Sequence, residues 1–86
     1  MTQDTLIEFP ADIAVKAMGL KTDDFVQLIR TLVAPHLDLE QTNFTTLPSK
    51  GDKYISVSVR FTATSLEQLH AVYASLRSEP RVLYTL

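Results

Sequence analysis

The side chains that could carry out chemistry in this chain are few and lie far apart. The two histidines, His36 and His70, have neither a Ser or Cys nucleophile motif nearby nor a second ligand at metal spacing. Asp23 and Asp24 are adjacent, so their side chains point in different directions and suit a helix start better than acid–base work on one substrate. We therefore expect no enzymatic activity, no bound metal and no cofactor.

The two glycines and several cations leave a binding role open. Gly19 and Gly51 each stand alone, so the chain has no glycine-rich loop to cradle a phosphate. Gly19 follows a predicted strand, where small-ligand regulatory modules use a glycine to bring a loop close to an effector at a subunit interface. A glycine is also expected there simply as a turn residue. The candidate ligand- or partner-binding residues are Lys16, Met18, Gly19, Lys21, Lys50, Tyr54 and Arg60.

The basic residues among these candidates have two interpretations. Lys16, Lys50, Lys53 and Arg60 could hold an anionic group or an acidic partner surface, or they could only keep an uncovered sheet face soluble. Residues 1–40 hold seven acids against three bases, whereas residues 41–86 hold three acids against five bases. The whole chain has a net charge of −2, which argues against general binding to a phosphate backbone. RNA binding through the sheet face is the alternative function, but it needs more aromatic residues on the third strand than Tyr54 alone.

Length and composition describe one small domain. The chain has 86 residues, of which 45% are hydrophobic and none is cysteine. Such a chain buries roughly 60–65% of its unfolded surface, which supports one core and no deep pocket. The lack of cysteine fits a reducing compartment. No apolar run is long enough to span a membrane, and the start lacks the basic and then apolar pattern of a secretory signal. We expect a cytoplasmic protein.

The first half of the chain predicts a strand followed by a helix. Side chains alternate over residues 12–18, with Ile13, Val15 and Ala17 on one face, as in a half-buried strand. Residues 21–24 supply capping oxygens and an acidic first turn for a helix. The apolar stripe of that helix is Phe25, Leu28, Ile29, Leu32 and Val33. Pro35 predicts its end.

The second half repeats the pattern with an extra strand. Residues 42–47 favour a strand, residues 48–52 a turn, and the alternation from Tyr54 to Phe61 is the clearest strand of the chain. Thr64 and Glu67 have the spacing of a capping box. The buried stripe of the following helix is predicted to be Leu66, Leu69, Val72, Tyr73 and Leu76. After Pro80, residues 81–86 alternate again, with Val82, Tyr84 and Leu86 opposite to Arg81, Leu83 and Thr85.

The order strand, helix, strand, strand, helix, strand predicts an α+β, ferredoxin-like βαββαβ sandwich: a four-stranded, mainly antiparallel sheet with two helices on one face. We expect residues 1–10 to form an arm whose Leu6, Ile7 and Phe9 pack over an edge, and residues 11–86 to form the domain. The sheet face away from the helices is predicted to carry Lys16, Met18, Tyr54, Ser56, Ser58, Arg60, Arg81 and Leu83. Because edge strands must be covered or paired, a homodimer is plausible. The expected partner is therefore a protein, a second copy or a small-molecule effector.

Several short motifs in the right order resemble the YbeD-like family of small bacterial proteins. They are Phe9-Pro10, Lys16-Ala17-Met18-Gly19, Ser49-Lys50-Gly51, Ser56-Val57-Ser58-Val59, Ala63-Thr64-Ser65, Glu67-Gln68-Leu69 and Pro80-Arg81-Val82. The family signature Lys-Val-Met-Gly has Ala17 in its second position here, and Asp52-Lys53 replaces a family Asn in the turn. The resemblance implies a ferredoxin-like fold similar to the regulatory domain of phosphoglycerate dehydrogenase, in the bacterial cytoplasm. It also implies a link to lipoate attachment in some bacteria, and it carries over no catalytic residue.

Overall fold

Six helices and strands follow one another in the predicted order. The structure is a computed structural model that describes residues 8–86. The elements are β1 (Ala11–Leu20), α1 (Phe25–Val33), β2 (Asn43–Pro48), β3 (Tyr54–Ala63), α2 (Leu66–Arg77) and β4 (Tyr84–Thr85), with two short 3₁₀ turns between α1 and β2. Of the predicted arm, Leu6 and Ile7 lie outside the described residues, and Phe9 is half-buried against the core.

The four strands form one antiparallel sheet in the order β2-β3-β1-β4. β1 and β3 are the central strands and pair along their whole length, from Ala11 opposite Ala63 to Leu20 opposite Tyr54. Their alternating sequences place Val15, Val57 and Val59 on the buried side, where none of the three is exposed. This arrangement confirms the ferredoxin-like fold predicted from the sequence.

Both helices cover the same side of the sheet with stripes at helical spacing. α1 buries Phe25, Ile29 and Val33, and α2 buries Leu69, Val72 and Leu76. Leu28 and Leu32, with Leu66 and Tyr73, flank these stripes as half-buried residues. α1 ends at Val33, two residues before Pro35, as the proline predicts. Within residues 8–86, neither helix is long and apolar enough to cross a membrane.

The N-terminus of α2 is capped one residue later than the sequence predicts. Ser65, not Thr64, is the N-cap residue, and its hydroxyl accepts a hydrogen bond from the backbone N–H of Gln68 at 3.1 Å. The Gln68 side-chain oxygen accepts from the backbone N–H of Thr64 at 2.7 Å, which takes the place of the predicted return bond by Glu67. Gln68 also donates to the carbonyl oxygen of His36 at 2.9 Å. Gln68 therefore replaces Glu67 in the return bond, because its side chain both completes the cap and links α2 to the turn after α1.

The last strand is shorter than predicted and turns its side chains the other way. Only Tyr84 and Thr85 join the sheet as β4, because a turn closed by the Val82 N–H and the Glu79 carbonyl takes up the preceding residues. Thr85 lies opposite the buried Ala17 and Tyr84 lies opposite Met18. Since opposite residues share a face, Tyr84 points away from the helices. The prediction that Arg81 and Leu83 occupy the uncovered face through this strand was wrong.

Candidate functional site

The described helices and loops leave one side of the sheet uncovered, and we call it the open face. The strand register assigns its residues, because directly opposite residues lie on the same side of a sheet. They are Asp12, Ala14, Lys16, Met18 and Leu20 of β1, Asn43, Thr45 and Leu47 of β2, Tyr54, Ser56, Ser58, Arg60 and Thr62 of β3, Tyr84 of β4, and Leu86 just after it. Leu86 and Lys16 exchange two backbone hydrogen bonds of 3.0 Å, which continue the ladder beyond β4.

Large apolar side chains gather at one end of the open face. Its exposed members are Leu47 (71%), Leu86 (62%), Tyr84 (57%) and Leu20 (52%), and Leu83 (57%) lies at the rim, where it lines a cavity together with Leu20. One row runs across all four strands from Leu47 through Ser56 and Met18 to Tyr84. We call Leu20, Leu47, Tyr84 and Met18 the apolar end. A contiguous exposed apolar patch of this kind marks an interaction site more often than scattered single residues do.

Two cations lie next to each other in the middle of the open face. Lys16 is opposite Ser58, and Arg60 is opposite Ala14. Lys16 and Arg60 are therefore diagonal neighbours on β1 and β3, and the backbone positions of such neighbours lie about 7–8 Å apart. Neither belongs to the two salt bridges found within residues 8–86. Asp12, the nearby acid of the same face, accepts a hydrogen bond from the Thr62 hydroxyl at 3.1 Å. The centre of the face therefore offers two cations beside serine hydroxyl groups.

The loop residues proposed from the sequence lie at the border of this face. Lys21 forms a 2.8 Å ion pair with Asp52, and its backbone N–H donates to the carbonyl oxygen of Lys53. Lys53 places its ammonium group 5.4 Å from the centre of the Tyr54 ring. Lys50 lies exposed in the turn between β2 and β3. The structure thus brings Lys16, Met18, Tyr54 and Arg60 onto one face, whereas Lys21 and Lys50 lie in loops at its end.

Gly19 faces the helices and not the open face. It is buried within β1, and a Cβ atom at this position would overlap the Phe25 ring and lie 2.5 Å from the carbonyl oxygen of Arg81. Cβ atoms in proteins essentially never lie within 3.0 Å of a non-bonded heavy atom. The missing side chain therefore allows the first residue of α1 and the loop before β4 to pack against the end of β1.

An ion pair at the surface joins the loop before α1 to the loop before β4. The Arg81 guanidinium donates to both carboxylate oxygens of Asp24, at 2.7 and 3.1 Å, and to the Thr22 hydroxyl at 2.7 Å. Thr22 in turn donates to Asp24 at 2.8 Å. The hydrogen bonds from Arg81 and then Thr22 hold the pKa of Asp24 well below its usual range, and the same pair raises the pKa of Arg81. The Asp24 side chain therefore does not cap α1, although the sequence predicts a cap there.

Replacing Asp24 with asparagine is expected to lower the melting temperature at neutral pH and to have a clearly smaller effect at about pH 2. Because folding depresses the pKa of Asp24, the stabilisation is complete above the ordinary value of 3.8 and disappears as the pH falls through the lower folded pKa. The pair is exposed, so solvent screening keeps the effect small. Thermal unfolding of the wild type, Asp24→Asn and the neighbouring control Asp23→Asn, from neutral pH to about pH 2, measures it. A difference that is constant over this range would contradict the ion pair.

A cavity of about 260 Å³ lies between this ion pair and the apolar end. Its lining residues are Leu20, Thr22, Pro80, Arg81 and Leu83. The apolar surface of Leu20 and Leu83 therefore continues from the open face into a recess that Thr22, Pro80 and Arg81 complete.

Comparison with known proteins places this chain in a family. The family model described as a protein of unknown function (DUF493) matches residues 4–86. The chain belongs to the DUF493 family. A UPF0250 protein of Janthinobacterium sp. (strain Marseille) is 39% identical over 84 residues, which cover 96% of this chain and 92% of that protein. A UPF0250 protein of Ralstonia nicotianae is 37% identical, over 93% of this chain and 84% of that protein. These matches confirm the YbeD-like resemblance.

Solved structures similar to this DUF493 protein share its fold. The protein HP0495 from H. pylori superposes with a TM-score of 0.65 at 17% identity, over 93% of this chain and 85% of that one. The ACT domain from the GTP pyrophosphokinase of Chlorobium tepidum superposes with a TM-score of 0.62 at 15% identity, over 87% and 84% of the two chains. At these identities the likeness shows the fold alone: α+β, with ferredoxin-like and ACT-like neighbours.

Sequence reasoning missed the apolar end of this DUF493 protein. Leu20, Leu47 and Tyr84 were not among the candidate residues, although each is exposed on the open face. Leu20 and Leu47 continue the alternation of β1 and β2 at their ends, and that signal could have placed them. No sequence signal places Tyr84, because its face depends on how many residues the preceding turn takes up.

Proposed function

We propose that this protein is a non-catalytic regulatory module of the bacterial cytoplasm that binds another protein through its open face. The carrying observation is that the large, exposed apolar side chains of residues 8–86 lie on the open face or at its rim. Leaving such a patch in water is unfavourable, and a partner that covers it gains the free energy of apolar burial. The likeness to the ACT domain from a GTP pyrophosphokinase supports a regulatory role, because the fold occurs there as one domain of an enzyme.

The charges of the open face indicate which partner fits. Lys16 and Arg60 lie beside the apolar end and have no salt-bridge partner within residues 8–86. A protein segment with apolar side chains followed by carboxylates would cover both parts of the face at once. Nucleic acid fits less well, because Asp12 offsets one of the two cations of the face and the chain has a net charge of −2. Tyr54 and Tyr84 are the aromatic residues that RNA bases would have to stack on.

Two pairs of substitutions are expected to weaken partner capture. The charge reversal Lys16→Glu with Arg60→Glu removes the cations, and Leu20→Ser with Tyr84→Ser removes apolar contacts. Each pair should weaken binding at least about tenfold, which corresponds to about 1.4 kcal/mol. The matched control, Gln27→Glu with His70→Glu, changes exposed residues of the two helices and should leave capture intact. Immobilised wild type and variants are incubated with lysate of a bacterium that encodes a UPF0250 protein, and bound proteins are identified by mass spectrometry.

The same experiment separates the competing functions. Thermal unfolding of each variant first establishes that it is folded, since surface substitutions usually change stability by less than about 0.5 kcal/mol. Capture that is equal for all variants would contradict the open-face proposal, and capture that is lost after ribonuclease treatment would favour the RNA alternative. A parallel thermal-shift screen with amino acids, lipoate and other small carboxylates tests effector binding beside Arg81, because a ligand of the folded state raises the melting temperature.

A further inference from the structure

The recess beside the apolar end offers little to a polar ligand. Its lining residues are Leu20, Thr22, Pro80, Arg81 and Leu83. The Thr22 hydroxyl donates to Asp24 and accepts from Arg81, and both terminal nitrogen atoms of the Arg81 guanidinium donate to Asp24. The polar side chains among the lining residues are therefore already hydrogen-bonded within the protein. An apolar group suits this recess better than a carboxylate does.

The size of the recess favours a single side chain over a whole small molecule. Sites for drug-sized ligands measure about 300–1,000 Å³, and this recess is smaller, with a volume of about 260 Å³. At protein interfaces, most of the binding free energy comes from a few large side chains that fill pockets of the partner. Leu20 and Leu83 are 52% and 57% exposed, so such a side chain would remove apolar surface of both from water.

Charges of opposite sign lie on the two sides of Leu20, because β1 lies between β3 and β4 in the sheet. On the β3 side, Tyr54 is directly opposite Leu20, and the Lys53 ammonium group lies 5.4 Å from the centre of the Tyr54 ring. On the β4 side, the Glu79 carboxylate accepts a hydrogen bond from the backbone N–H of Arg81 at 3.0 Å. Neither Lys53 nor Glu79 forms a salt bridge within residues 8–86. A carboxylate near the recess is therefore attracted toward Lys53 and repelled from Glu79.

We infer that the recess binds one large apolar side chain of an extended protein segment, and that a carboxylate two residues away in that segment binds Lys53. Side chains two residues apart in an extended chain lie on the same face, about 7 Å from each other. Tyr54 is one strand away from Leu20, about 5 Å, and the Lys53 ammonium group lies beside the Tyr54 ring. A segment that crosses the strands from the recess toward β3 therefore brings an aspartate or glutamate side chain to Lys53.

The anchored segment deepens the proposed function and rests on it, because the recess continues the apolar surface that the partner covers. The two proposals fail separately in the capture experiment when Leu83→Ser and Lys53→Glu are added as further variants. Equal capture by the wild type and by the open-face variants would contradict the proposed function itself. Capture that is lost in the open-face variants but kept by Leu83→Ser and Lys53→Glu would contradict only the anchored segment.

Short synthetic peptides test the recess with the purified protein. The probe peptide carries a single phenylalanine, a glutamate two positions away on each side, and serine elsewhere. In titrations followed by NMR, it should shift the signals of Leu20, Leu83 and Lys53. Replacing its phenylalanine with serine, or both glutamates with lysine, should weaken binding at least about tenfold. Equal binding of the serine peptide, shifts centred on other residues, or no shifts at about 1 mM peptide would overturn the inference.

Variants of the protein, each first shown to be folded by thermal unfolding, locate the two contacts. Leu83→Ser should weaken binding of the probe peptide at least about tenfold, whereas Leu47→Ser, at an exposed leucine of the far edge strand, should not change it. Lys53→Glu should weaken binding of the glutamate peptide and strengthen that of the lysine peptide, and Lys50→Glu in the same turn should have a clearly smaller effect on both. Equal effects at positions 83 and 47, no reversal with the lysine peptide, or binding to anionic phospholipid vesicles but to none of the peptides would overturn the inference.

Discussion

Replacing Phe25 with alanine should lower the free energy of unfolding by about 3–5 kcal/mol, the usual cost of removing a buried aromatic ring. Phe25 has no exposed surface, begins α1 and fills the space beside Gly19. The loss is therefore a cavity at the point where β1, α1 and the loop before β4 meet. Urea unfolding followed by circular dichroism measures it as a lower midpoint with an unchanged slope.

The control for Phe25 is Val26→Ala, the next residue of the same helix. Val26 is only half-buried, so its truncation should cost clearly less than that of Phe25. If Phe25→Ala lowered the free energy of unfolding by less than about 1 kcal/mol, the ring would not fill the space between β1, α1 and the loop before β4.

Replacing Gly19 with alanine should destabilise the protein by about 1–3 kcal/mol, as overpacking of a tight core does. The added methyl group meets the Phe25 ring on one side and the Arg81 carbonyl on the other. The carbonyl belongs to the backbone, and the Arg81 side chain is bonded to Asp24 and Thr22, so the loop cannot easily retreat. Urea unfolding measures this effect as well.

A double-mutant cycle shows where the cost of Gly19→Ala arises. In the Phe25→Ala background the methyl group gains room on one side, so Gly19→Ala should cost less there than in the wild type. The matched glycine control is Gly51→Asn. Gly51 has a positive φ of 84° and open space around its Cβ position, and asparagine tolerates that backbone conformation. Equal costs of Gly19→Ala in both backgrounds would contradict the steric explanation.

The packing role of Gly19 affects how its candidate binding role can be tested. A glycine after strand one suggests an approach site for an effector, but here the space where a Cβ atom would lie is occupied by the Phe25 ring and the Arg81 carbonyl group. A substitution at Gly19 would thus change the fold and any binding together. Lys16, Arg60 and Tyr84 are better probes of function, because their side chains project from the open face and leave the core untouched.

The two helix starts show why some contacts were beyond sequence reasoning. Thr64 and Ser65 are both good N-cap residues, and Glu67 and Gln68 both suit the return bond, so the local pattern allows two registers. The choice depends on the bond from Gln68 to the His36 carbonyl, 32 residues away in the chain. At the start of α1, the Asp24 carboxylate accepts hydrogen bonds from Arg81, 57 residues away, and does not cap the helix. Local patterns cannot contain such distant partners.

The sequence by itself determined the order of the elements and the alternation of the two central strands, because residue type and spacing act locally through the period of two in strands and 3.6 in helices. That was enough for the ferredoxin-like fold, the buried stripes of both helices and the placement of Lys16, Met18, Tyr54 and Arg60 on one face. Alternation, however, sets only which residues share a face. The tertiary structure decided that Tyr84 faces outward beside Met18, because the turn before β4 and its backbone hydrogen bonds to β1 set the register.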